Sequence, residues 1–373
     1  MTSGNRPAGT LVERETGRQV DRRAWGDWFD PATFDEASVR SGGDTIMRVA
    51  LLVLWFVLVL FMASHHVMWR DEVRAFSLAL EGGGIGDMLA GLRGEGHPAL
   101  WYLLLRAAHD VIPFRQVLPG MAMLIAGGAM TLLVLRAPFR LPVIALVMTS
   151  AFALYEYTVV ARNYGVAMLL LFLFATLYRR ARDGTIVLPL LLFLLCNSNV
   201  HGILLAGGLW LFGYLDRAGT QGWIAAAVDR RTVVGAMAVI LGVLTCYWEV
   251  SFPLQDAVHT LPLPTTGERL RGLMEGLAMP GRPFDKLDHE MPPFILTTLL
   301  WLALAGLARR PGLLAAGLAV QCGMILLFEM VYPGGYRHAA LYFVMLLTLY
   351  WLAAEGFGGR WPAGWDRAAP ALA

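Results

Sequence analysis

The stretch SHHVMWRDEVRAF, Ser64 to Phe76, sets two histidines, two arginines and the adjacent carboxylates Asp71 and Glu72 directly after the apolar run from Val49 to Ala63. A carboxylate at the mouth of a membrane helix is partly desolvated without being fully buried, which suits it to take a proton from a hydroxyl. Adjacent residues on a helix point about 100° apart, so the pair divides its tasks, with Asp71 as the candidate general base and Glu72 as its orienting neighbour. A second reading stays open: both are N-terminal charges of the amphipathic stretch DEVRAFSLAL, favoured there by the helix dipole.

Further along, GEGHPALWY offers Glu95 and His97 between glycines that let backbone approach a ligand, with Pro98 opening the next helix. Glu95 and His97 serve to orient Asp71, or to bind the sugar or phosphate of a ligand, or to form a helix-capping turn with an exposed histidine, and Trp101 and Tyr102 suit an interfacial belt. CNSNVHG breaks the apolar stretch Ile186 to Leu215 with Asn197, Asn199 and His201, and such breaks are tolerated where they line a cavity. Asn199 and His201 are therefore read as chamber-lining residues. Arg115, Arg162 and Arg337 carry planar guanidinium forks suited to phosphate, and the chain has a single lysine, Lys286. Each of them also fits an arginine snorkelling to headgroups. Arg337 lies in YPGGYRHAALYF, where Gly334 and Gly335 permit a tight turn and Tyr336 and His338 add polar partners.

The elements that hold these residues follow from composition. Of 373 residues, 57% are hydrophobic and 16% charged, against ~25% charged in an ordinary soluble domain. This is the signature of an all-α, polytopic membrane bundle. A net charge of +2 makes no case for a nucleic-acid partner. Cys196, Cys246 and Cys322 sit in apolar runs, so no disulfide framework is expected, and no zinc spacing occurs. Residues 1–46 read as a cytoplasmic, largely disordered tail, 47–354 as the transmembrane domain and 355–373 as a cytoplasmic C-terminal tail.

Hydropathy marks eleven apolar segments: Met47 to Met68, Pro98 to Pro113, Val117 to Leu135, Leu141 to Val160, Tyr164 to Tyr178, Ile186 to Cys196, Val200 to Leu215, Thr232 to Val250, Pro292 to Ala308, Leu313 to Tyr332 and Ala339 to Ala354. Arginine clusters at 136–140, 179–182, 229–231 and 309–310 are expected on the cytoplasmic side. The opposite face then collects Asp71 and Glu72, the ARNY stretch, NSNVHG, the loop 251–291 and GGYRH. Alternation allows a single crossing between the first helix and Arg136, so Pro98 to Pro113, with Arg106, His109 and Asp110, is expected to be re-entrant or interfacial. Within the long loop, Thr266 to Met279 reads as an amphipathic helix lying on the membrane surface.

MWRDEVRAF after the first helix, followed by EGHPALWYLLL, resembles the first outer loop of the GT-C superfamily of integral membrane glycosyltransferases. The likeness is to the branch with the protein O-mannosyltransferases, lipid A aminoarabinose transferases and rhizobial lipopolysaccharide sugar transferases. Those families place an acidic pair after helix one and follow it with a His- or Lys-Pro-Pro-Leu-Tyr stretch; here Ala99 replaces the second proline. FRQVLPG around Arg115 resembles their Arg-Leu-Pro segment, and ARNYGVAMLLLFL their Arg-x-Tyr helix start, which brings in Arg162 and Tyr164. YRHAALYFVMLL is a weaker likeness. The resemblance implies a donor sugar on a polyprenyl phosphate, a lipid, glycan or protein acceptor, membrane lipids as surroundings, and an inverting transfer on the extracytoplasmic face of a bacterial inner membrane. Such a donor needs a base for the acceptor hydroxyl, for which Asp71 is the candidate, and a cation for the departing phosphate, for which Arg115, Arg162 and Arg337, all expected on the outer face, are the candidates. The resemblance does not carry acceptor recognition, because this chain has no large soluble domain. No cofactor is assigned; a divalent metal shared by Asp71, Glu95, His97 and His201 stays open, without a ligand-spacing signature. The alternative from a different class is a transporter or flippase of lipid-linked saccharides, whose polar residues would line a path between the faces.

Overall fold

The computed structural model describes residues 42–251, 265–287 and 290–359, and all regular structure among them is helical. Six helices are long and apolar enough to cross a membrane: α1 (Gly42–His65), α5 (Val117–Arg136), α7 (Tyr164–Ala181), α11 (Arg230–Val250), α14 (Pro311–Met330) and α15 (Tyr336–Ala354). The shorter helices are α2 (Arg70–Ala79), α3 (Ile85–Gly91), α4 (Leu100–Val111), α6 (Leu141–Met148), α8 (Val187–Cys196), α10 (Trp223–Val228), α12 (Thr266–Ala278) and α13 (Pro293–Ala305), with the 22-residue α9 (Val200–Gln221) between α8 and α10. The chain is a multi-pass membrane helical bundle.

α15 forms its centre. Ala339, Ala340, Leu341, Tyr342, Val344, Met345, Leu349, Trp351 and Leu352 are buried as it packs on α7 and α14. α1 lies at the periphery, with Val53, Leu54, Val57, Leu60 and Phe61 exposed as a lipid-facing surface requires. Small residues set the close approaches: a Cβ on Gly208 of α9 would lie 2.3 Å from Val320 of α14, so only glycine lets these two helices meet. Cys196 and Cys246 are buried and Cys322 is exposed; all three are free.

Several expected segments are not simple crossings. Leu141 to Val160 breaks after α6 at Thr149 and Ser150, whose hydroxyls bond back to Ala145 and Val147 carbonyls and compete with the helix ladder. The chain then winds one π-helical turn, Phe152–Glu156, before reaching Arg162. α8 has ten residues, about 15 Å of helix, roughly half of a bilayer core. α4 has twelve residues, about 18 Å, again too short to cross. α1 starts at Gly42, ahead of the expected tail boundary at 46, because Asp44 and Arg48 join its first turns as an i,i+4 ion pair. The expected tails lie mainly outside the described residues. α12 carries the expected N-cap: Thr265 and Glu268 form a reciprocal capping box.

Candidate functional site

α1 ends at His65, and His66 to Trp69 run without helix into α2, whose second and third residues are Asp71 and Glu72. The two carboxylates part company there. Glu72 is fully buried. One oxygen accepts the Trp69 N–H at 2.7 Å and lies 2.9 Å from His66 Nε2; the other accepts the Ala161 N–H at 2.7 Å. His66 Nδ1 is 2.9 Å from the Tyr155 hydroxyl. Glu72 thus ties the end of α1, the start of α2 and the segment before α7 into one knot, and its carboxylate has no open side with which to orient Asp71 directly.

Asp71 faces the other way, its side chain 49% exposed. Arg162 runs beside it: Nη1 donates to the Asp71 carbonyl at 2.9 Å and lies 3.8 Å from the carboxylate. The second Arg162 nitrogen is 3.0 Å from His97 Nε2. Because a guanidinium only donates, His97 Nε2 is the acceptor and its proton is on Nδ1, 3.3 Å from the Glu95 carbonyl. Burial, with the Arg162 charge next, lowers the His97 pKa to about 4, so the ring is neutral near pH 7.

The loop carrying His97 turns through Gly94 and Gly96, at φ 85° and 81°, a region open to glycine. Glu95 is bound by Arg74 of α2 at 2.6 and 2.8 Å. It fixes the loop to α2, with one carboxylate oxygen held by two Arg74 nitrogens. Glu249 at the end of α11 accepts the Ala99 N–H at 2.8 Å and fixes the start of α4.

The third wall comes from α15. The Arg337 guanidinium lies 4.9 Å over the Trp69 ring and 3.4 Å from a Glu156 oxygen. His338 Nδ1 accepts the Gly335 N–H at 2.7 Å, so Nε2 carries the proton and donates to the Tyr164 hydroxyl at 2.7 Å. That leaves the Tyr164 hydroxyl hydrogen free to donate elsewhere. His201 stacks on His338 at 4.7 Å, buried, with both ring nitrogens unpartnered. Tyr336, the first residue of α15, is partly buried.

One end of the bundle therefore gathers the half-exposed Asp71 carboxylate, the Glu156 carboxylate beside Arg337, two guanidiniums, the His97, His201 and His338 imidazoles and the Trp69 and Tyr164 rings. Such a set can hold an anionic oxygen between Arg162 and Arg337 while a carboxylate accepts a proton. Comparison with protein-family models, curated proteins and solved structures returns no match.

Of the expected residues, Asp71, His97, Arg162, Tyr164, His201, Arg337 and His338 come together. Arg115 makes no bond to them: it sits exposed in the turn between α4 and α5, its side chain without a hydrogen bond or ion pair among the described residues. Asn199 is the N-cap of α9, buried, its side-chain oxygen accepting the Gly202 N–H at 2.8 Å, so that oxygen serves to close a helix end. Among the described residues no three His, Cys, Asp or Glu side chains form a metal-holding group. The open metal set is also dispersed in its bonding, with Glu95 on Arg74 and His97 on Arg162. Glu156 is the acid that sequence reasoning passed over; its position inside the apolar stretch FALYEYTVV was the available signal.

Proposed function

We propose that the chain is a GT-C-type membrane glycosyltransferase that moves a sugar from a polyprenyl-phosphate donor to a lipid, glycan or protein acceptor. The transfer takes place at the extracytoplasmic face of a bacterial inner membrane. The observation that carries the reading is the half-exposed Asp71 carboxylate 3.8 Å from Arg162, at the bundle end where Arg337 also converges.

In this reading the prenyl chain stays in lipid while the phosphate lies between the two guanidiniums. The acceptor hydroxyl passes its proton to Asp71 as its oxygen bonds to the anomeric carbon on the face opposite the phosphate. The carbon–oxygen bond to phosphate breaks, and its electron pair stays on the phosphate oxygen. Charge on that oxygen grows through the transition state, so fixed donors aimed at it lower the barrier. Neutral His97 holds the Arg162 fork without adding positive charge, and the Tyr164 hydroxyl supplies a further donor. A transporter reading is less well supported: midway along α15 the polar groups are buried and bonded within the bundle, Tyr342 donating to Gln321 at 3.1 Å and Thr348 to the Val344 carbonyl at 2.9 Å, among the fully buried Met345 and Leu349.

The test is release of polyprenyl phosphate by purified protein in detergent given a polyprenyl-phosphate sugar and candidate acceptors. Transfer with release, abolished in Asp71→Asn, is expected. Vesicle transport of the intact lipid-linked sugar without release would replace this reading by the transporter.

A further inference from the structure

At the opposite end of the bundle, four helix ends enclose a cavity of about 390 Å³, within the range of small-ligand pockets. Its charged lining is Asp44 and Arg48 of α1, Arg136 of α5, Arg179 and Arg180 of α7, and Glu355 just after α15. Four arginines against two carboxylates leave an excess of two positive charges.

The arginines fall into two kinds. Arg48 is buried and spent: it bonds Asp44 at 2.6 Å and the Val134 and Phe139 carbonyls at 2.7 Å each. It serves one carbonyl in the last turn of α5 and one just past its end, and as a buried lining residue it forms the cavity floor. Arg179 is paired with Glu355, donating to its carbonyl at 3.0 Å with its Nε 3.5 Å from the carboxylate. Arg136 and Arg180, by contrast, are exposed and have no hydrogen bond or ion pair among the described residues. Their neighbours at this end are not so left: Arg182 has Asp216 at 3.6 Å, and Arg231 has Asp183 and Asp229 at 3.0 and 2.6 Å. Two unpaired guanidiniums, on helices that pack against each other, face a preformed cavity. Leu135, 47% exposed, is part of the cavity lining, and on α1 the exposed apolar Ile46 and Val49 flank the lining residues Thr45 and Arg48 in sequence.

We propose that this cavity is a second anion site, which takes the phosphate ester of an anionic membrane phospholipid between Arg136 and Arg180, with the acyl chains lying along α1 and Leu135. Planar forks from two helices match the oxygens of one phosphate, and the apolar residues beside them distinguish a lipid headgroup from a soluble anion. Snorkelling to headgroups in general would require neither the cavity nor the fixed floor that Arg48 provides.

The test is native mass spectrometry of the full chain released from detergent micelles containing equal phosphatidylglycerol and phosphatidylcholine. The wild type is expected to retain phosphatidylglycerol at ~10-fold preference, and Arg136→Gln/Arg180→Gln to lose that preference. Arg230→Gln/Arg309→Gln, which removes the same charge from elsewhere on this end, is expected to keep it. Both cavity residues are exposed, so folding is retained; a matching thermal unfolding midpoint confirms this. Millimolar inorganic phosphate is the second arm. Displacement of the lipid by it, lost in the cavity variant, keeps the phosphate site and moves its source to a soluble ester. Equal retention in the cavity variant and the control variant overturns the proposal. Sugar transfer at the other end is not read in this experiment, so the two readings stand or fall separately.

Discussion

Replacing Asp71 by Asn changes a charge and almost nothing else. Its carboxylate is 49% exposed, and its nearest cations are Arg70 at 3.7 Å and Arg162 at 3.8 Å. Pairs at that exposure contribute ~0–1 kcal/mol, so the folded state loses little. Arg162 is held separately, through the 2.9 Å bond to the Asp71 backbone carbonyl and the contact with His97, both of which the substitution leaves in place. The donor phosphate site is therefore expected to survive, and what disappears is the capacity to accept the acceptor's proton. Loss of a general base costs at least ~100-fold, or about 2.7 kcal/mol of barrier. The assay is single-turnover transfer from a polyprenyl-phosphate sugar, with donor binding and thermal unfolding measured on the same preparation. Turnover within about threefold of wild type refutes Asp71 as the base. A loss of donor affinity as large as the loss of turnover refutes the argument differently, since Asp71 would then act through Arg162 on the phosphate.

Glu72→Gln leaves an amide N–H₂ facing donors that the second carboxylate oxygen now satisfies, so it is expected to cost ~1–3 kcal/mol or more and to lower the unfolding midpoint; unchanged stability would deny the knot its role. His97, neutral when folded with a pKa near 4 against 6.5 unfolded, contributes stability that is full above pH 6.5 and is lost as pH falls toward 4, by up to about 3 kcal/mol. Unfolding midpoints between pH 7 and 4.5 should therefore fall more steeply in wild type than in His97→Gln, and parallel curves would contradict this. Arg337→Lys keeps the charge but loses the fork and the face-on stack over Trp69, so turnover should fall about tenfold with a smaller change in donor affinity; equal loss of both would make Arg337 a ground-state ligand. Cysteines introduced at Gly83 and Gln116, in a chain lacking its native cysteines, should both react with an impermeant thiol reagent from the same side, because α4 is too short to cross; labelling of one alone would make the stretch a crossing.

What the sequence made legible is the set of polar residues that cannot be left at membrane depth without a partner. Asp71, His97, Arg162, His201, Arg337 and His338 stand out in apolar surroundings, and they share one end of the bundle. The identity of each partner was not legible, because it is set by contacts far apart in the chain. His338 bonds Tyr164 across 174 residues, and Ala161 bonds Glu72 across 89. A 100° step between Asp71 and Glu72 says that one turns in when the other turns out, but only the Ala161 backbone decides which. Glu95 looked free because its partner, Arg74, lies a loop away on α2. Asn199 was readable as an N-cap from its place before α9, and its oxygen is used there. Hydropathy failed for Leu141 to Val160 for a related reason: it scores transfer into lipid and is blind to the Thr149 and Ser150 hydroxyls that compete for helix carbonyls. That break is what lets the chain bring Glu156 under Arg337 and carry Arg162 beside Asp71. The feature that hydropathy misses is thus the one that assembles the site, since an unbroken crossing would have no irregular segment from which to present these groups.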